Sequence, residues 1–197
     1  MISVVAVQGS GAASATINLP TTPAAWTSIG DWICNGGSGN ELHVAAAYRI
    51  TDENDAPGTV FSWAFSSAFQ ASVLTTVYGG TSTSSPIDVV GLSPSCNLGS
   101  AGSAVVAPPV TTTVGNDLVV ATFAAAGVNN DISLTVGSPL GPVVGQDNTG
   151  HGPADFTAFA TTNELSPGFG APGKYGPFTA TQAASGESLS VLITAKP

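Results

Sequence analysis

Leu118-Val119-Val120-Ala121-Thr122-Phe123 is the stretch on which the fold turns. It carries no charge and is apolar on both faces of an extended chain, which predicts a strand in the middle of a stack of sheets. Its centre, Val119-Val120-Ala121, repeats Val4-Val5-Ala6 at a displacement of 115 positions (4 to 119). The same displacement relates Ile17-Asn18-Leu19 to Ile132-Ser133-Leu134, and Gly30 to Gly145. A constant offset without a gap marks an internal duplication. The apolar members read as core strand positions and the glycines as a turn.

Outward from this strand, short β-branched and aromatic runs alternate with Gly, Ser, Pro and Asn clusters, and no 3.6-residue period persists. The predicted strands are Ile2 to Gln8, Ser14 to Leu19, Thr27 to Cys34, Glu41 to Thr51, Thr59 to Phe65, Ala71 to Tyr78 and Ser103 to Ala107. They continue with Asp117 to Ala125, Ile132 to Val136, Val143 to Gln146, Asp155 to Thr161, Tyr175 to Ala180 and Glu187 to Ala195. Phe61, Trp63 and Phe65 share one face of their strand, and that face is expected to meet the core. Asp52 to Gly58 matches Asn163 to Gly168 at an offset near 110. Gly80 to Val114 reads as the connection between halves, anchored by Ile87, Val89, Val90, Val105 and Val106. The expected fold is all-β: a two-sheet, jelly-roll-like β-sandwich. Two pseudo-repeated halves, about 1–90 and 104–197, interleave in it as a single domain over residues 1–197.

Composition narrows function. Charged residues are 8% of the 197, with three cations (Arg49, Lys174, Lys196) against twelve acids and a net charge of −9. Three scattered cations cannot line a phosphate-binding groove or hold an anionic membrane surface, so neither nucleic acid nor membrane is an expected partner. At 43% hydrophobic content the chain is not expected to be disordered. Met1 to Gln8 lacks the basic start of a secretion signal, and no apolar run reaches a membrane-spanning length. If the chain is complete, release inside a virus particle is one route to the exterior.

No residue pattern predicts catalysis, a metal or a cofactor. His43 lies between Leu42 and Val44 in a strand, and His151 lies in a glycine-rich loop; neither has the spaced partners of a metal or catalytic site. Asp52, Glu53 and Asp55 crowd one loop, but Ala56 breaks the calcium-loop pattern, and a solvated hairpin tip is expected. Asp147 with Asp155 is a weaker pair. Cys34 and Cys96 can form one bridge; two small, unpaired thiols are the expectation. Trp26, Trp32 and Tyr175 are the candidate contacts for a glycan or protein partner, with Trp26 near a loop and open to solvent. Trp63 is assigned to the core.

Four segments carry a family resemblance. They are Pro23-Ala24-Ala25-Trp26-Thr27; Val44 to Thr51 running into Pro57 to Trp63; Val77-Tyr78-Gly79-Gly80 with Pro86-Ile87-Asp88; and Ala107 to Thr113 before Asn116 to Val120. In this order they resemble a β-sandwich domain of bacteriophage virion proteins and related bacterial surface proteins. The resemblance implies a non-enzymatic virion structural protein, most specifically a capsid decoration protein on the phage head. Its implied partners are the major capsid protein or another virion protein and further copies of itself. A tail or fibre component and a module binding host surface glycans are the alternatives. The family supplies no catalytic residues.

Overall fold

The structure, a computed structural model, describes residues 1–22, 25–37, 41–53, 55–92, 97–100, 102–127, 132–134, 143–149, 157–164 and 171–197. It is all-β. The strands of the first part are β1 (Ile2–Gln8), β2 (Ile17–Asn18), β3 (Thr27–Cys34), β4 (Leu42–Tyr48), β5 (Ala64–Phe65) and β6 (Gln70–Thr76), with one 3₁₀ turn at Ala12–Ser14. Next come β7 (Ile87–Leu92), β8 (Asn97–Gly99), β9 (Ala104–Ala107), β10 (Val110–Thr111), β11 (Leu118–Ala126) and β12 (Ile132–Leu134). The last are β13 (Val143–Thr149), β14 (Thr157–Glu164), β15 (Lys174–Tyr175), β16 (Phe178–Gln182) and β17 (Gly186–Ala195).

Two antiparallel sheets stack face to face. The first runs β3-β4-β1-β6; the second runs β13-β14-β11-β17-β7, with β8 also on β17. Period-2 alternation decides what each face touches. Ile2, Val4 and Ala6 of β1 and Leu42, Val44 and Ala46 of β4 meet Leu118, Val120 and Ala124 of β11 and Leu189, Val191 and Ile193 of β17. The opposite face of β11, Val119, Ala121 and Phe123, packs on Val105, Ala107, Phe178 and Ala180 from the small sheet β12-β16-β9. Val5, Val7 and Ala45 are covered in turn by Ile17 and Phe65 of the β2–β5 pair. The central strands are therefore apolar on both faces because both faces are covered: β1 is buried at all seven positions and β11 at all nine.

The two sheets are laid out alike. The first sheet's order β3-β4-β1-β6 is met in the second as β13-β14-β11-β17, and the covering pair β2–β5 is met as β12–β16. β6 lies over β13 and β14 as β17 lies over β3 and β4. The β3–β4 ladder slips between Ser28 and Gly30, and the β13–β14 ladder slips between Val143 and Gly145, 115 positions on (30 to 145). Gly30 and Gly145 thus sit at β-bulges and not in the predicted turn. At Gly30 the cause is visible: a Cβ there would lie 2.2 Å from Cζ2 of Trp32, whose indole folds back over the bulge onto the core.

Four further expectations are corrected. The halves do not interleave: the first large sheet is drawn from residues 2–76 and the second from 87–195, because neighbouring strands find partners locally. Gly80 to Val114 is more than a connection, since it supplies β7 to β10. Ile87 and Val90 pack on the central core and Val89 and Val105 on the outer one, while Val106 is exposed. Only Ala64–Phe65 of the predicted strand Thr59 to Phe65 joins a ladder, although Trp63 and Phe65 still face inward. Cys34 is bound in a disulfide, fully buried at the end of β3 with Sγ 3.8 Å from the Ser188 carbonyl oxygen. The other cysteine, Cys96, lies outside the described residues.

Candidate functional site

Where β4 ends, the chain turns Arg49 inward. A buried guanidinium needs paired anions and filled hydrogen bonds, and the next hairpin provides both. Nη1 donates to Asp55 Oδ1 at 2.6 Å and Nη2 to Asp52 Oδ2 at 2.8 Å. The guanidinium carbon lies 5.8 Å from the centre of the Phe61 ring, a cation–π distance. Trp26 stands edge-on to Phe61, centroids 5.2 Å apart. The Arg49 amide donates to the Met1 carbonyl at 3.0 Å, and the Met1 ammonium donates to the Arg49 carbonyl at 2.7 Å. Burial lowers the pKa of that ammonium, with Asp55 opposing. The tip is solvated at Asp52 and Glu53, as expected, but not at Asp55, whose side chain is 7% exposed; both aspartates pair with Arg49.

Beside Arg49 a cavity of about 200 Å³ opens between the ends of the two large sheets. Ile2, Tyr48, Tyr78, Ile87 and Ala195 form its apolar walls, and Thr51, Thr81, Ser82 and Thr83 line its polar side. The Tyr78 hydroxyl is buried, with the Thr76 side chain beside it. Burial pushes its pKa up to about 12, with the Thr76 side chain opposing. The walls continue the central core, against which Tyr48, Tyr78 and Ile87 pack.

One residue beyond Ile87 a second cluster begins. Asp88 accepts from the Thr113 amide at 2.6 Å and from the Thr113 hydroxyl, with Lys196 Nζ 3.9 Å away. Burial raises the Asp88 pKa, but the two Thr113 bonds, with Asp117 and Lys196, together hold the group below its ordinary value. Asp117 is buried at the start of β11, beside the Asp88 carboxylate and the Thr194 side chain. Burial first, then the neighbouring Asp88, push its pKa to about 7. Among the described residues no group of three His, Cys, Asp or Glu is placed to hold a metal ion.

The sequence-predicted contacts do not assemble into one surface. Trp26, expected to be open, is 5% exposed because it is wedged on Phe61. Trp32 is half-buried over Gly30, on a different strand and core. Tyr175 is half-buried on the outer core, its hydroxyl donating to the Ala171 carbonyl at 2.8 Å. His43 is buried; its Nδ1 faces the Ala12 carbonyl at 3.1 Å and its Nε2 the Asp31 carboxylate. Both partners are acceptors, so the imidazole ties β4 to β3 and to the 3₁₀ turn. His151 and Asp155 lie outside the described residues, as do Leu165 to Gly168 of the second loop match; Asp147 falls in β13. Arg49, Asp88 and Asp117 were not among the predicted site residues. The signal for Arg49 was present: one of three cations, six positions before Asp55.

The fold and this site define an all-β protein of two stacked antiparallel sheets whose one sealed cation braces a small cavity at the sheet ends. No protein family, characterised protein or solved structure matches the chain.

Proposed function

We propose that this chain is a non-enzymatic bacteriophage virion protein of the capsid-decoration type, bound to the major capsid protein and associated with copies of itself. The observation that carries the reading is that the four segments resembling phage virion domains are in contact. Trp26 rests on Phe61, and Phe61 on Arg49. Arg49 shares its cavity with Tyr78, Gly79, Gly80, Pro86 and Ile87. Asp88 bonds Thr113. Segments scattered over about a hundred residues thus lie together in space. We also read the two halves as copies of one duplicated scaffold; equal strand order, equal covering pairs and bulges 115 positions apart support this. The matched positions are core and bulge positions, which favours a building block over an enzyme.

A mass-spectrometric inventory of purified particles containing the chain tests the proposal. Hundreds of copies per particle are expected. A few copies point to a tail or fibre component, and absence from the particle sinks the reading.

A second reading, a carbohydrate-binding adhesion module, is favoured by the cavity itself: two tyrosines and several hydroxyls around a space of sugar-ring size. Glycan-array binding that is lost in Tyr78→Ala supports it, and an array without binding removes it.

A further inference from the structure

Lys196 follows β17 directly, and its backbone is fixed. Its amide donates to the Pro86 carbonyl at 2.8 Å, and its carbonyl accepts from the Ser82 amide at 2.9 Å. The strands flanking β17 bring two carboxyl groups to the same end. Ala195 pairs with Ile87 of β7 on one side and with Leu118 of β11 on the other, so Asp88 and Asp117 each stand one residue from those partners. Lys196 Nζ lies 3.9 Å from Asp88 Oδ1, and the Asp88 side chain is only 2% exposed. A small turn of the flexible lysine stem brings that nitrogen onto Asp88 Cγ. Asp117 is buried beside the Asp88 carboxylate, with the Thr194 side chain next to it.

An amine, a water-shielded carboxyl carbon and a second carboxyl group beside it are the parts that amide formation needs. Thr113 polarises the carbon. Its amide donates to Asp88 Oδ2 at 2.6 Å and its hydroxyl to Oδ1, as donors aimed at a developing oxyanion do. Condensation of free groups in water is uphill, but groups held in contact by a fold have already lost their translational freedom.

We propose that the folded chain joins Lys196 Nζ to Asp88 Cγ in an intramolecular isopeptide bond, with Asp117 as the proton carrier. The Lys196 ammonium first gives a proton to the Asp88 carboxylate, leaving an amine and a neutral acid. The amine lone pair forms the N–C bond while the carbonyl electron pair moves to oxygen, and Asp117 protonates that oxygen. The nitrogen then returns a proton to Asp117. The C–O bond breaks as Asp117 protonates the departing oxygen, which leaves as water. Re-forming the carbonyl restores the Asp117 proton. One N–C bond replaces one C–O bond, one water is released, and nothing is oxidised or reduced. The Asp117 pKa, raised to about 7 by burial first and by Asp88 second, suits a group that gives and takes a proton in neutral solution. Burial, the larger cause, is untouched by the bond. The chain folds with the pair open and closes it on standing. The bond fastens β7 to the end of β17, where Ile87 and Ala195 wall the cavity. It removes one cation and one anion together, so the net charge of −9 stands.

Intact-mass spectrometry on the full chain, folded, left at neutral pH and then reduced and denatured, tests this. The wild type is expected to be lighter than its sequence by one water, and peptide mapping is expected to find a branched peptide joining Lys196 to Asp88. Lys196→Arg and Asp117→Asn are each expected to keep their full sequence mass with an unchanged circular dichroism spectrum. Wild type kept unfolded in denaturant from the start is expected to keep its full mass as well. A folded wild type of full mass overturns the proposal. So does a water deficit that persists in Lys196→Arg, or one that is as complete in folded Asp117→Asn as in the wild type. Should Asp117→Asn fail to fold, Lys196→Arg and the branched peptide decide. Particle copy number is read separately, so a chain without the bond that is abundant on particles removes this inference and leaves the proposed function standing.

Discussion

Arg49 shows how one residue organises a region. Its two ion pairs, its Phe61 contact and its backbone bonds to Met1 hold the hairpin that follows β4. Arg49→Ala leaves the Asp55 carboxylate buried without its counter-charge, with only the Asp52 amide bonded to it, and a cost of about 3–5 kcal/mol is expected in chemical denaturation. Adding Asp55→Asn to that variant should recover part of the loss. Gly30 is governed by space: Gly30→Ala forces the Trp32 indole from its seat, and a loss of about 1–3 kcal/mol is expected from thermal unfolding. Asp117 gives a pH signature. Its folded pKa is raised from 3.8 to about 7, so the stability it contributes is complete below about pH 3.8 and is lost as pH rises through about 7. Asp88 acts in the opposite sense, its contribution being lost as pH falls below its lowered pKa. The melting temperature of the wild type should therefore fall more steeply between pH 5 and pH 8 than that of Asp117→Asn. Little of this was legible in the sequence. Arg49, Tyr78, Asp88 and Asp117 owe their roles to burial and to partners on other strands, and one residue's neighbours in sequence do not report either.

At the scale of elements much more was legible. β1 and β3 run as their apolar patterns predict, and β11, predicted from Asp117 to Ala125, lies one residue along at Leu118–Ala126. Alternation and β-branching are local properties, and the ladders obey them. The predicted strand from Thr59 shortened to Ala64–Phe65 because its inward aromatics are satisfied by packing alone, without a partner strand. β7 was hidden for a different reason: Ile87-Asp88-Val89-Val90-Gly91-Leu92 lies among Gly, Ser and Pro that read as linker, and its pairing with β17 spans about a hundred residues. Cys34 escaped similarly, since a cysteine's partner is a matter of tertiary approach. Titration of the denatured, unreduced protein should find no free thiol, and reduction should lower stability by about 2–4 kcal/mol.

For the whole molecule, the central core joins both large sheets, with β1 and β4 on one side and β11 and β17 on the other. Neither sheet can lose its partner without exposing that face, so unfolding is expected as one cooperative transition, with tryptophan fluorescence and circular dichroism giving one midpoint. Two separate transitions would show that the halves are independent. The 115-residue displacement, read first as a repeat of words, also separates the ladder slips at Gly30 and Gly145.

Sealing Arg49 inside the fold also has a colloidal consequence. It leaves Lys174 and Lys196 as the remaining cationic side chains of a chain with net charge −9, so like charge dominates the space between approaching copies. Dissolved ions shorten the reach of that repulsion, to about 10 Å at 0.1 M. Crowding of this chain against itself should therefore strengthen as salt is added, the reverse of what a protein that grips a polyanion does.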